Sequence, residues 1–433
     1  MIINPQVPMH RLVLSLSDAV DRVHPLLADH QQRVAYIAVS VGRAMKLSER
    51  QMIDLFLAAA MHDIGLIGLE NRLQGLHVDN AEGIGWHSES GYILLADNPL
   101  FGGAAQLVRY HHTPWDNGQC LSQVTEPITT QILFLADEVQ RAIDDRSHVL
   151  QQRDGIIRNV LNGVGHRYHP DVAEAFTYVA RSESFWLDCL SERIYGLLLA
   201  TIDWPMLSVD ADNVSHIAEI FARIVDAMSP WTATHSAGVT AVAAAIAQRM
   251  HFGPREVALI RTAGYLHDLG KLSVSSAILD KPGKLDPSEW AVMKAHPYHT
   301  YRILETIGEM QEVNEWASFH HERLDGEGYP FHHRARDLTL GSRIMAISDT
   351  FTAITENRPY RKGMTRDQAM GVLERLVLEG AFDGDVVTTV KSHFDEIDGL
   401  RRDEQRTYAA KQSALIGLIR PQCEQACRSN VLV

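Results

Sequence analysis

Histidine and aspartate side chains recur in the C-terminal half of the chain with a spacing that suits metal binding. The set consists of His235, His267, Asp268, His296, His320, His321 and Asp349. Neutral imidazoles and carboxylates together are ligands for Fe, Mn, Zn, Ni or Co. Seven ligands exceed the needs of one four-coordinate ion but fit two adjacent ions, which the aspartate of the His-Asp pair can bridge. Two such ions polarise a phosphoryl oxygen and activate water, so the pattern predicts phosphoester hydrolysis.

The same series occurs a second time in the N-terminal half of the chain. Its members are His30, His62, Asp63, His87, His111, His112 and Asp137. The first histidine and the His-Asp pair are shifted by 205 residues between the halves, and the third histidine and the His-His pair by 209. Ten of the 22 histidines belong to these two sets, so coincidence is a poor explanation. The sequence predicts a tandem duplication, with domains at residues 1–205 and 206–433.

The elements that carry these residues are predicted to be helices. The stretches "QMIDLFLAAAMHDIG" and "EVALIRTAGYLHDLG" place apolar residues at helical spacing, and each ends at a glycine. No stretch alternates polar and apolar residues between hairpin turns. We therefore expect an all-α fold made of two tandem helical bundles.

Charge and composition limit the classes of partner. A net charge of −14 argues against binding to DNA or RNA polymers, which requires a basic surface. No apolar run approaches the ~20 residues of a membrane helix, and the N-terminus lacks the pattern of a secretion signal. The four cysteines are scattered, as in a reducing cytoplasm, and Cys423 and Cys427 are spaced poorly for zinc. We expect a cytoplasmic protein without membrane partners.

The C-terminal half resembles the HD-GYP domain, a bacterial branch of the HD phosphohydrolase superfamily. The matching stretches include "HSAGV", "LHDLGKLSV", "HHERLDGEGYP", "RIMAISDTFTAIT" and "NRPYR". The resemblance implies hydrolysis of a cyclic dinucleotide, either cyclic di-GMP or 3',3'-cyclic GMP-AMP, to the linear dinucleotide by a hydroxide that two metal ions activate. Fe and Mn are the ions it favours, with Ni, Co and Zn left open. It also implies second-messenger signalling with diguanylate-cyclase-type (GGDEF) proteins as partners, and a homodimer stays open.

The same resemblance implies a role for each matching residue. One ion would be held by His235, His267, Asp268 and Asp349. Asp268 would also bridge to a second ion, held by His296, His320 and His321. Lys271 would reach the scissile phosphate. The groups expected to contact substrate are Gly328, Tyr329, Arg358 and Arg361. Trp231 stands where some family members place a glutamate that holds a third ion, so two ions are expected.

The N-terminal half keeps all seven candidate ligands but lacks the groups that would handle phosphate. Leu66 replaces Lys271, "DNGQ" replaces "DGEGYP", and nothing resembles "RPYR", although Arg146 follows Asp137 by nine residues. Three roles stay open for this half. It can bind an additional metal, act as a 5'-nucleotidase-like phosphohydrolase on the linear product, or serve as a sensing or dimerising module.

Two functions from other classes compete with the phosphodiesterase. A non-catalytic module could bind a nucleotide without cutting it, but the complete ligand set of the C-terminal half argues against this. A di-iron oxidase could use the same scaffold, but Lys271, Arg358 and Arg361 indicate a phosphate-bearing substrate.

Overall fold

A computed structural model gives the three-dimensional arrangement of the chain. It describes residues 7–21, 29–66, 85–119, 121–122, 124–201, 208–229, 233–281, 283–357 and 361–429. The predicted all-α class is confirmed, because helices make up nearly all the regular structure of this part of the chain. Among these residues the strands are limited to the antiparallel pair Val7–Pro8 (β1) and Ser208–Val209 (β2). None of the helices described is long and apolar enough to span a membrane.

The first half of the chain contains ten described helices. They are α1 (Met9–Asp21), α2 (His30–Ala44), α3 (Glu49–Met61), α4 (Gly85–Ala96), α5 (Gly102–Tyr110), α6 (Pro127–Arg141), α7 (Val149–Asn162), α8 (Pro170–Val179), α9 (Glu183–Cys189) and α10 (Ile194–Thr201). Short 3-10 turns cover Ile64–Leu66, Pro99–Phe101 and Asp116–Gly118.

The second half repeats this helical pattern. Its helices are α11 (Ala211–Ala227), α12 (His235–Arg249), α13 (Pro254–Leu266), α14 (Ser276–Leu279), α15 (Pro287–Met293), α16 (His296–Glu305), α17 (Gln311–Ser318), α18 (Leu340–Thr355), α19 (Arg366–Leu378), α20 (Gly384–Ser392) and α21 (Phe394–Ser429). A 3-10 turn covers Leu269–Ser273.

The described residues group into two compact units. Residues 20–66, 85–201 and 415–429 belong to one, and residues 7–19 and 208–414 belong to the other. Helix α1 therefore packs largely with the second half of the chain, where Ser15 Oγ lies 2.6 Å from Thr306 Oγ1. The boundary at residues 205 and 206 stays a prediction. The sequence did not indicate that α1, which belongs to the first half of the chain, packs with the second half.

Each unit has a central helix that begins with the first histidine of its series. In the second unit α12 packs against α13 and α18, and in the first unit α2 packs against α3 and α6. Residues 235–247 of α12 are buried on every side of the helix, which its small side chains allow. The three helices of each unit bring together the first histidine, the His-Asp pair and the final aspartate of the series.

Candidate metal centres

The second unit brings all seven of its sequence-predicted ligands to one place. One group, His235, His267 and Asp268, offers ligand atoms that lie within 4.8 Å of one another, and so does a second group, His296, His320 and His321. Asp349 closes the cluster, with Oδ1 3.0 Å from His235 Nε2 and Oδ2 3.8 Å from His321 Nδ1. The two groups match the two sets of ligands expected for two adjacent ions.

Asp268 stands between the two groups and faces each with a different oxygen. Its Oδ2 lies 3.3 Å from His267 Nε2, and its Oδ1 lies 3.4 Å from His296 Nε2. The carboxylate is 2% exposed. This orientation is the one a carboxylate needs in order to bridge two ions.

Backbone carbonyls orient three of the imidazole rings. Nδ1 of His267 donates to Gly264 O at 2.7 Å, Nδ1 of His296 to Met293 O at 2.8 Å, and Nδ1 of His320 to Ala317 O at 2.6 Å. In each case the acceptor lies three residues earlier, in the last turn of a helix whose final carbonyls have no partner within the helix. The hydrogen bond fixes the tautomer and leaves Nε2 free to face the cluster.

Gly270 allows α16 to approach the His-Asp pair closely. A Cβ atom at Gly270 would collide with the carbonyl oxygen of His296, and one at Gly65 would collide with that of His87 in the first unit. The hydroxyl of Thr300 joins the same elements, since it accepts from Gly270 N at 2.9 Å and donates to His267 O at 3.1 Å. A side chain at either glycine would push the third histidine away from the pair.

The electrostatics of the second unit do not act alike on every ligand. Burial would lower the pKa of His235, but Glu356 and Asp349 outweigh it and raise that pKa to about 10. Burial lowers the pKa of His296 to about 3 and that of His320 to about 4, so both imidazoles are neutral near pH 7. Burial alone would raise the pKa of Asp268, but His267 and Lys271 outweigh it and hold that pKa well below its usual range. His296, His320 and Asp268 thus have the protonation states that metal binding requires, whereas His235 must lose a proton before its Nε2 can bind a cation.

Unsatisfied polar atoms support the same conclusion. Within the described part of the chain, the buried atoms His267 Nε2, Asp63 Oδ1 and Asp137 Oδ2 make no hydrogen bond. A buried polar atom without a partner costs about 1–3 kcal/mol. The residues of both clusters therefore fit a bound cation, which would give these atoms a partner.

The predicted substrate groups occupy different positions around this cluster. Lys271 Nζ lies 2.5 Å from Asp268 Oδ2, and the Tyr329 ring lies 4.8 Å from the His321 ring. Arg361 is exposed and donates to Ala353 O at 2.6 Å. The side chains of Trp231, Arg358, Cys423 and Cys427 lie outside the described residues.

The loop that carries Gly328 and Tyr329 is held by a buried carboxylate. Glu322, 2% exposed, accepts from Phe331 N at 2.7 Å and from His333 N at 3.0 Å. Tyr329 N donates to His321 O at 3.2 Å, and a Cβ at Gly328 would lie 2.5 Å from Glu322 Cα. The loop is thus tied to the His-His pair, and Gly328 serves the tight turn.

The first unit forms the same kind of cluster. His30, His62 and Asp63 make one group, and Asp63, His87, His111 and His112 make the other. Asp63 faces both groups, as Asp268 does in the second unit. Its Oδ2 lies 3.4 Å from His62 Nε2, and its Oδ1 lies 3.3 Å from His87 Nε2. Asp137 Oδ1 lies 3.4 Å from His30 Nε2. All seven candidate ligands of the N-terminal half are brought together.

The loops and charged residues around this first cluster differ from those around the second. The loop after His112 is bound to residues 163–168, since Trp115 N donates to Arg167 O at 3.0 Å and Asp116 N to His166 O at 2.6 Å. Arg146 is 91% exposed and pairs with Asp144. Instead Arg141, one helical turn after Asp137, donates from Nε to Asp137 Oδ1 at 2.9 Å.

Comparison with known families decides what these clusters belong to. Residues 27–142 and residues 219–386 each match a family model described as HD domain. The chain is a tandem HD-domain protein. The predicted duplication and the resemblance to this superfamily are confirmed. We refer below to the two copies as the first and second HD domains.

Known relatives match either most of the chain or about a third of it. The chain is 29% identical over 397 residues to 3'3'-cGAMP-specific phosphodiesterase 1 of Vibrio cholerae, covering 89% of this chain and 91% of that protein. It is 37% identical over 141 residues to a cyclic di-GMP phosphodiesterase of Pseudomonas aeruginosa, covering 32% and 34%. A crystal structure of a cyclic GMP-AMP-specific phosphodiesterase from V. cholerae shares the tandem fold, with TM-score 0.62, 24% identity and coverage of 90% and 98%.

Sequence reasoning missed four residues near the two HD clusters. They are Gln140, Arg141, Trp290 and Glu356. Arg141 could have been found from its spacing of four residues after Asp137 in a helix. Trp290, 44% exposed, meets the Tyr329 ring at 5.9 Å from a separate helix, and the sequence contains no signal for that contact.

Proposed function

We propose that the second HD domain hydrolyses a cyclic dinucleotide to the linear dinucleotide with the help of two divalent ions. The observation that carries the proposal is the position of Asp268 between two groups of ligands, with Lys271 Nζ 2.5 Å from its Oδ2. A bridging carboxylate with a cation beside it suits attack on a phosphodiester. The homology to phosphodiesterases for cyclic dinucleotides supports this substrate class.

The residues of the second HD domain would have separate roles in this hydrolysis. His235, His267, Asp268, His296, His320, His321 and Asp349 would hold the ions, with Fe or Mn preferred. Bound ions would supply the Lewis acidity that activates water and stabilises the phosphoryl oxygens. Lys271 would neutralise negative charge that develops on the phosphate. Tyr329, held by the loop above His321, would orient the substrate over the cluster.

Two aromatic side chains beside the cluster suit a substrate with two purine bases. Trp290 and Tyr329 meet at 5.9 Å, and Tyr329 in turn meets His321. An exposed indole next to the reacting phosphate can stack on a base. The relative that matches nearly the whole tandem is specific for 3'3'-cGAMP, so we propose 3',3'-cyclic GMP-AMP as the first substrate and cyclic di-GMP as the alternative.

A product assay tests the proposal. The full-length chain, loaded with Mn²⁺ or Fe²⁺, would receive 3',3'-cyclic GMP-AMP and cyclic di-GMP in parallel, with the products resolved by mass. We expect a gain of one water, which marks the linear dinucleotide, and faster turnover of the mixed substrate. If the metal is bound and neither substrate is cleaved, the proposal fails and a nucleotide-binding module replaces it.

A second candidate function concerns the first HD domain, whose cluster is complete and carries Arg141. A guanidinium at its mouth, 40% exposed, could bind the terminal phosphate of the linear product. The test uses the His267→Ala, Asp268→Ala chain, which keeps only the first site, with a linear dinucleotide as substrate. Release of inorganic phosphate that Arg141→Ala abolishes and Arg146→Ala preserves would support it. Absence of release would leave a sensing or dimerising module.

A further inference from the structure

The first histidine of each cluster differs from the others in what holds its ring. Both His30 and His235 begin a helix, and each uses a side chain as the partner of Nδ1. In the second HD domain that partner is Glu356, with Oε1 at 3.3 Å and Oε2 at 3.4 Å from His235 Nδ1. In the first HD domain it is Gln140, with Oε1 at 2.6 Å from His30 Nδ1. The same position thus carries a charged partner in one domain and a neutral partner in the other.

The carboxylate of Glu356 is held from the C-terminal helix α21. Gln405 Nε2 donates to Glu356 Oε2 at 3.3 Å and to Thr234 O at 3.2 Å, next to His235. Arg401 Nη1 donates to Gln405 Oε1 at 2.6 Å, which fixes the orientation of the Gln405 amide. Glu356 is 6% exposed and Arg401 is 4% exposed. A chain of buried and part-buried polar contacts therefore runs from α21 to the ring of His235.

The charge of this partner has consequences for a metal ligand. An imidazole whose Nδ1–H donates to a carboxylate has a more basic Nε2, and its ring is locked in one tautomer and orientation. The carboxylate also adds a negative charge close to the ions. An amide oxygen orients the ring in the same way but is neutral.

We propose that Glu356 is a positioning residue that tightens metal binding through His235, and that Gln140 makes the first HD domain the weaker of the two metal sites. This inference rests on the proposed metal clusters. Through Gln405 and Arg401, helix α21 takes part in setting the metal affinity of the second HD domain. A role in packing alone would not distinguish Glu from Gln, because the two side chains have nearly the same shape.

The test exchanges the two partners in the full-length chain. Glu356→Gln gives the second domain the partner that the first domain has, and Gln140→Glu does the reverse. Mn²⁺ titration calorimetry would be performed in two backgrounds: His62→Ala, Asp63→Ala leaves the second site, and His267→Ala, Asp268→Ala leaves the first. We expect Glu356→Gln to weaken Mn²⁺ binding by about 10-fold or more and Gln140→Glu to strengthen it.

Two additional measurements distinguish a specific effect on the metal site from misfolding of the variant. The same two substitutions in the otherwise unaltered chain must shift only one of two fitted Mn²⁺ sites, and Co²⁺ absorption bands must move with Glu356→Gln. Unchanged affinity and an unchanged Co²⁺ spectrum in Glu356→Gln would overturn the inference, even if cleavage persists. If the parent chain binds no Mn²⁺, the inference and the proposed metal-dependent function both fail.

Discussion

Lys271 Nζ lies 2.5 Å from Asp268 Oδ2, beside the carboxylate that faces both groups of ligands in the second HD domain. Leu66 occupies the corresponding position in the first HD domain. One of the two clusters in this chain therefore has a lysine at this position, and the other does not.

We expect Lys271→Leu, which copies the first domain, to lower kcat for cyclic dinucleotide cleavage by about 10²- to 10³-fold, because the variant lacks the cation proposed to stabilise charge in the transition state. Steady-state kinetics with saturating Mn²⁺ checks this. Lys391→Leu serves as the matched control, since Lys391 is 61% exposed and pairs with Glu374 on the surface. An unchanged kcat in Lys271→Leu would remove this residue from the chemistry.

The two His-Asp pairs should separate cleavage from metal content. We expect His267→Ala with Asp268→Ala to abolish cleavage and to lower bound metal, because the variant lacks two of the proposed ligands, including the carboxylate that faces both groups. The matched pair His62→Ala with Asp63→Ala should lower bound metal while cyclic dinucleotide cleavage continues. Metal analysis and the product assay on each protein check both statements. Full cleavage by the first variant would contradict the assignment of the reaction to the second HD domain.

Trp290 should affect substrate binding more than chemistry. Removing one base-stacking surface costs about 1–3 kcal/mol, so we expect Trp290→Ala to raise KM for the cyclic dinucleotide with little change in kcat. Hydrolysis of bis(p-nitrophenyl) phosphate, whose single rings offer less stacking surface than purines, should be affected less. Tyr178→Ala is the control, because Tyr178 is a 69% exposed aromatic residue in the other unit. Equal losses on both substrates would indicate a structural role instead.

Asp226 should make stability depend on pH. Burial raises its pKa to about 7, although the Ser236 hydroxyl donates to it at 2.8 Å. Between its unfolded pKa near 3.9 and the folded value, the unfolded chain releases a proton that the folded chain keeps, so the free energy of unfolding falls as pH rises through this range. From pH 5 to pH 7 we expect the free energy of unfolding of the parent to fall by about 2–3 kcal/mol relative to that of Asp226→Asn, which lacks the titrating carboxyl. Denaturant unfolding of metal-free protein at both pH values measures this, and a constant difference would refute it.

Much of the candidate site could be predicted from the sequence, because most of its histidines lie at helix ends, within short stretches of recognisable pattern. The order of histidines and aspartates, its repetition, the helical class and Lys271 beside Asp268 all follow from short stretches of chain. The two glycines after the His-Asp pairs also follow a local pattern, although the steric reason for them, the close approach of His87 and His296, is visible only in the folded chain.

The tertiary structure decided which groups surround those ligands. Glu356 reaches His235 across 121 residues of sequence, and Gln405 reaches Glu356 from a helix that carries no motif. Arg141, and not Arg146, faces Asp137, because α6 continues through Arg141 and places the two side chains on one face. Helix α1 packs with the second half of the chain. These contacts depend on how helices that are distant in sequence pack together. Helical periodicity predicts that one face of a helix is buried, but it does not predict which residues cover that face.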